Sequence, residues 1–144
     1  MPVDPVVEAA PMERRRWMSI LAKARADEVV QAWDGLEARP DYVALRAPEL
    51  GLMLVRGRMG GGGDAFNLGE MTLTRAAVRL ESGETGVSYV AGRDRRHAEI
   101  AAAVDAMMQS PALRPRVEGA VVARLARAQD ERRAAAARKA AATR

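Results

Sequence analysis

Hydrophobic periodicity changes twice along this chain, and the two changes fix the order helices, strands, helices. From Met12 the apolar residues recur at helical spacing, with Trp17, Ile20, Leu21 and Ala24 at i, i+3, i+4 and i+7. A second short helix is expected through Val29, Val30, Trp33 and Leu36, capped by Asp27 and closed by Asp34-Gly35 and Pro40. Both tryptophans lie on these stripes, which assigns them to packing.

After Pro40 the period falls to two. Tyr42 to Arg46 and Leu50 to Met59 read as strands separated by the turn signal Ala47-Pro48-Glu49. A third strand is expected from about Glu70 to Leu80, turning at Ser82-Gly83-Glu84 into a fourth from Thr85 to Gly92. Within the third, Met71 and Leu73 point one way, whereas Ala76, Val78 and Leu80 point the other. A β-bulge near Thr74-Arg75 would reconcile them. Helical spacing returns at Asp94, an expected N-cap, with Ile100, Val104, Met107 and Met108 on one face until Ser110-Pro111. A last helix starts near Pro115, with Val117, Val121, Val122 and Leu125 on one side. Beyond Ala128 the sequence is alanine and arginine, helical by propensity with little to bury. The expected class is α+β: an antiparallel four-strand meander flanked by N-terminal and C-terminal helices. Residues 1–11 are expected to be a disordered leader, 12–113 the α+β domain, and 114–144 a basic Ala/Arg-rich helix.

Composition narrows the function. A chain of 144 residues holds one domain with a real core. It has one Phe, two Tyr and two Trp, so that core is aliphatic and methionine-bearing. With no cysteine, thiolate metal sites, disulfides and a Cys nucleophile are excluded. No stretch reads as a signal peptide or membrane span, and a cytoplasmic protein is expected. Arg114 to Arg144 holds nine basic and three acidic residues, so the basic balance of the chain belongs to its tail. Such a run is either a solvated helix face or a phosphate-contacting surface. No aromatic residue interleaves with it to stack bases.

Three motifs invite a site. The run Gly60-Gly61-Gly62-Gly63 can form a backbone anion nest or a flexible hairpin connection; no Gly-Lys-Ser/Thr follows, so it is not a P-loop. His97, the only histidine, has no partners in sequence for a metal site or acid–base pair, and reads as structural or as a ligand or partner contact. Arg56, Arg58, Arg75, Arg79, Arg93, Arg95 and Arg96 cluster in the strand region or at its exit. Converging, they would form an anion site or charged interface; pointing outward, ordinary surface.

Several blocks occur in a specific order from Arg16 onward. They are Arg16-Trp17-Met18 with Leu21-Ala22, Arg46-Ala47-Pro48-Glu49-Leu50-Gly51-Leu52, Gly57-Arg58-Met59-Gly60-Gly61 with Gly63, and Phe66-Asn67-Leu68-Gly69-Glu70. Thr72-Leu73-Thr74-Arg75-Ala76-Ala77-Val78-Arg79-Leu80, the strongest, is followed by Gly92-Arg93-Asp94-Arg95-Arg96-His97-Ala98-Glu99 and Asp105-Ala106-Met107-Met108-Gln109. Together they resemble the PhnG family, the small subunit of the bacterial phosphonate carbon–phosphorus lyase core complex. The resemblance spans about Arg14 to Leu113 and weakens beyond it. Members of that family typically continue past a pair such as Thr143-Arg144 into a short aromatic segment. The sequence is therefore either naturally short or lacks that end.

The resemblance implies an accessory, non-catalytic subunit of a hetero-oligomer that joins a phosphonate to the ribose C1 of ATP and releases adenine, giving a ribose 1-phosphonate 5-triphosphate. ATP and the phosphonate are the substrates of the complex, and no cofactor or metal is expected in this subunit. The nucleosidase chemistry is ascribed to another subunit, and this one is needed for the phosphonate, not water, to be the acceptor. The expected partners are the other core subunits. The expected substrate- or partner-contacting residues are Arg58, Gly60, Gly61, Gly63, Thr74, Arg75, Arg79, Arg93 and His97. No membrane contact is expected. The alternative, a small nucleic-acid-binding module, would act through the basic C-terminal helix.

Overall fold

A computed structural model describes residue 7, residues 10–58 and residues 65–143, with the backbone alone at 55–58 and 65–68. The leader expected over residues 1–11 lies mostly outside these; Val7 is partly buried against the core. Two helices come first, α1 (Met12–Lys23) and α2 (Ala26–Asp34). Three strands follow, β1 (Tyr42–Arg58), β2 (Ala65–Leu80) and β3 (Thr85–Ala91). The chain then forms α3 (Arg95–Met108), a short α4 (Arg114–Val117), a π-helical turn (Glu118–Val122) and α5 (Ala123–Ala142). The class is α+β, but the sheet has three antiparallel strands in the order β1-β2-β3, not the four expected.

The miscount lies at Ala47-Pro48-Glu49. These residues do not reverse the chain; β1 runs straight through them. The ladder with β2 absorbs them as register shifts between Ala44 and Arg46 and between Arg46 and Glu49. Proline is tolerated there because β1 is an edge strand and the irregularity spares Pro48 a ladder donor. At its other end β2 begins at Ala65, earlier than the expected Glu70, with a further register shift where Val55 and Arg56 oppose Gly69 and Asn67.

The bulge expected at Thr74-Arg75 is also absent. Glu49, Leu50 and Gly51 oppose Arg75, Thr74 and Leu73 in unbroken register, and Arg75, Thr74 and Leu73 oppose Tyr89, Val90 and Ala91 on the other side. Thr74 itself continues the core face of Ala76, Val78 and Leu80. Its hydroxyl is buried at no penalty because it donates to the Gly92 carbonyl at 2.7 Å. A polar residue on an apolar face produced the apparent change of parity.

That face packs on α3. Every residue from Ile100 to Met108 is buried, so α3 is covered on all sides: by the sheet on one, by α1, α2 and the C-terminal helices on the other. Alanines at 101, 102, 103 and 106 let neighbours approach closely. At Gly86 a Cβ would sit 1.9 Å from the Ala102 carbonyl oxygen and 2.6 Å from the Ala106 nitrogen, so β3 rests directly on the helix backbone. Asp94 caps α3 as expected, its carboxylate accepting from the His97 N–H at 2.9 Å. Asp27 does not cap α2. The residue before that helix is Arg25, and Asp27 sits in the first turn, where its charge favours the helix dipole.

Val117, Val121, Val122 and Leu125 are the buried side of the C-terminal helices. A spacing of four drifts around a regular α-helix. The wider π turn at Glu118–Val122 offsets that drift, and Gln129 still faces inward one turn beyond Leu125. From residue 133 to 143 every residue is exposed.

Candidate functional site

Among the described residues, the buried polar group with the most hydrogen bonds is Asp105, on α3. Its Oδ1 accepts from Trp17 Nε1 at 2.8 Å and Arg14 Nε at 3.1 Å; its Oδ2 accepts from Arg14 Nη2 at 2.8 Å and the Val87 N–H at 2.9 Å. One carboxylate thus ties α1, α3 and β3. A buried charge is tolerated only when so paired and hydrogen-bonded. The Arg14 guanidinium holds its proton more firmly than usual, first because it donates to Asp105. The sequence reading missed this group. Its signal was a lone acid inside the otherwise apolar run Ile100 to Met108.

A second set of buried side chains serves the last carbonyls of α1, of which Ile20 also accepts from the Ala24 N–H at 3.1 Å. His97, buried, donates from Nε2 to the Leu21 carbonyl at 2.8 Å. Gln129, also buried, donates to the Ile20 carbonyl at 2.7 Å. The His97 ring therefore faces inward, on the helix side of the sheet.

The remaining expected contact residues are spread along the sheet. Gly60, Gly61 and Gly63 lie outside the described residues, as does the Arg58 side chain; the Arg58 backbone pairs with Ala65. Thr74 reaches the residue before Arg93 at the C-terminal end of β3, where the Gly92 N–H donates to the Thr72 carbonyl at 2.8 Å and its carbonyl receives Thr74. From Thr72 to Ala65 the ribbon of β1 and β2 continues for roughly 20 Å at strand rise. Arg79 lies at the opposite end of β2, between Val43 and Thr85. Arg75 and Arg79 are exposed on the sheet face turned away from α3, and Arg75 meets Glu49 at 3.5 Å. Arg93, Arg95 and Arg96 are exposed at the β3–α3 junction, with Arg96 on Asp34 at 3.2 Å. Sequence order brought these arginines near one another; strand length holds them apart.

Two concave regions accompany them. A groove of about 590 Å³ runs between α1 and β3, its walls including Met18, Ala22, Met53, Leu73, Val87 and Tyr89. Beside the Asp105 network, Arg114 stacks over Trp17 at 4.9 Å and pairs with Glu13. Arg132 pairs with Glu28, so basic residues of the C-terminal helices meet acidic residues of α1 and α2. On the far side, Tyr42 packs edge-on to Trp33 and donates to Glu99 at 2.9 Å. Burial, and then that hydrogen bond, push its phenol up to about 12. Among the described residues, no group of three or more His, Cys, Asp or Glu could hold a metal ion, and no helix is long and apolar enough to cross a membrane.

Comparison with known proteins covers the described regions almost completely. The family described as "Phosphonate metabolism protein PhnG" matches residues 12–144. A curated relative from Rhizobium meliloti (strain 1021), the alpha-D-ribose 1-methylphosphonate 5-triphosphate synthase subunit PhnG, is 46% identical over 130 residues, which is 88% of this chain and 83% of the relative. The ordered blocks and the match over nearly the whole chain converge on one statement: this protein belongs to the PhnG family of phosphonate-metabolism proteins.

Proposed function

We propose that this chain is an accessory subunit of a ribose 1-phosphonate 5-triphosphate synthase, supporting transfer of a phosphonate to the ribose C1 of ATP with release of adenine. The observation that carries the reading is the 46% identity to a synthase subunit across 88% of the chain. Residue chemistry supports the accessory role. The two buried titratable groups described above, Asp105 and His97, are both engaged in holding helices together. The chain therefore offers partners a shaped surface, and ATP and the phosphonate are substrates of the assembly. Its partners are the other subunits of that synthase, in the cytoplasm.

The test is reconstitution. The other synthase subunits are expressed with and without this chain, and adenine release from ATP is followed with and without methylphosphonate. With the chain present, adenine release yields ribose 1-methylphosphonate 5-triphosphate. Without it, adenine is released to water or not at all. Equal phosphonate transfer in both preparations overturns the proposal.

A further inference from the structure

The sheet order leaves the outer edge of β1 without a strand partner among the described residues. An open edge presents a row of backbone donors and acceptors, and proteins usually blunt such edges with proline, bulges or short length. Here those devices occupy only one half. Leu45 and Ala47-Pro48 fall in the two register shifts, whereas β1 continues from Glu49 to Arg58 in regular pairing as far as Val55.

The unblunted half also carries exposed leucines. Leu50, Leu52 and Leu54 are 40%, 70% and 42% exposed and share the face of Thr74 and Thr72, which nearer the body lies against α3. All three stay exposed among the described residues. A stripe of alternate leucines beside backbone groups that no described strand pairs is what strand addition by another chain uses: main-chain bonds for affinity, alternate side chains for specificity.

Charge selects the occupant. β1 holds Arg46, Arg56 and Arg58 against a single acid, Glu49, which already meets Arg75. A second copy that paired antiparallel with its leucine stripe in register, Leu52 opposite Leu52, would set Arg46 opposite Arg58 and gather six arginines on two strands. An acidic strand would neutralise them. We infer that the outer edge of β1, from Glu49 to Arg58, receives an extended segment of another synthase subunit, apolar at alternate positions on the leucine side and carrying Asp or Glu opposite the arginines. This rests on the subunit reading above and names the surface that reading requires.

The experiment uses the full chain, affinity-tagged and co-expressed with the other synthase subunits, beside the variants Leu52→Lys and Arg56→Glu. Leu52→Lys is expected to lower the co-purified subunits at least tenfold and Arg56→Glu severalfold, with helical circular dichroism and melting of the isolated chain unchanged. Backbone amides of residues 50–56 should gain hydrogen-exchange protection in the wild-type assembly. Full assembly by Leu52→Lys without such protection overturns the surface and leaves the subunit reading standing. Failure of the wild-type chain to co-purify overturns the subunit reading itself. A dimer of the isolated chain that Leu52→Lys dissolves would overturn the choice of an acidic partner.

Discussion

The body around α3 and the ribbon of β1 and β2 are built from the same kinds of residue, yet they stand in opposite relation to solvent. In the body, Ala76, Val78 and Leu80 face a helix and are 3% exposed or less. In the ribbon, Leu50, Leu52 and Leu54 continue that face yet are 40%, 70% and 42% exposed. At 1.5–3 kcal/mol for a fully buried leucine, the ribbon leaves on the order of 3 kcal/mol of burial unrealised. Apolar patterning specifies a strand in both places, and packing against the helices decides which part of the strand becomes core.

Substitutions can break that contrast or sharpen it. The largest effect is expected in the body at Asp105→Ala, which leaves the partly buried Arg14 beside no counter-charge and strands the Trp17 and Val87 donors. Denaturant unfolding should show a loss of about 3–5 kcal/mol. Gly86→Ala comes next, because its methyl group meets the backbone of α3 and the strand must lift away. A loss of about 1–3 kcal/mol and a lower melting temperature are expected. At the end of the body away from the ribbon, Tyr42→Phe should cost no more than about 1.5 kcal/mol. Its pH dependence has a definite sign. The folded phenol titrates at about 12 against 10.0 ordinarily, so its contribution is whole below pH 10 and fades as pH rises through 12. Alkaline unfolding curves should lose that component in the phenylalanine variant. In the ribbon, Leu52→Lys should move unfolding by no more than about 0.5 kcal/mol. A large loss there would mean that the ribbon belongs to the core after all.

The sequence made the helices legible because their stripes are strong: Trp17, Leu21, Val29, Trp33 and Val104 are all buried where their periodicity put them. It also made the α+β class and the Asp94 cap legible. The strand count failed because a proline in an edge strand carries the same local signal as a proline in a turn, and only the ladder with β2 tells them apart. The Thr74 bulge failed because alternation counts polarity, whereas burial depends on whether a hydroxyl finds an acceptor. The Asp105 network needed spatial knowledge of a different kind. Its donors come from residues 14, 17 and 87, and no local pattern links them. The arginines were legible as a basic set, but their separation along β2 follows from strand length, which spacing in sequence conceals.

The Asp105 network has a consequence for synthesis. Arg14 and Trp17 leave the ribosome well before their partner, because the carboxylate that receives them is made 91 and 88 residues later. At about 5–20 residues per second, α1 waits roughly 5–20 s before its binding partner exists. Throughout that interval its tryptophan and apolar stripe are open to whatever the cell offers. The chain can close its core only after α3 has emerged, so an early-made helix is secured late.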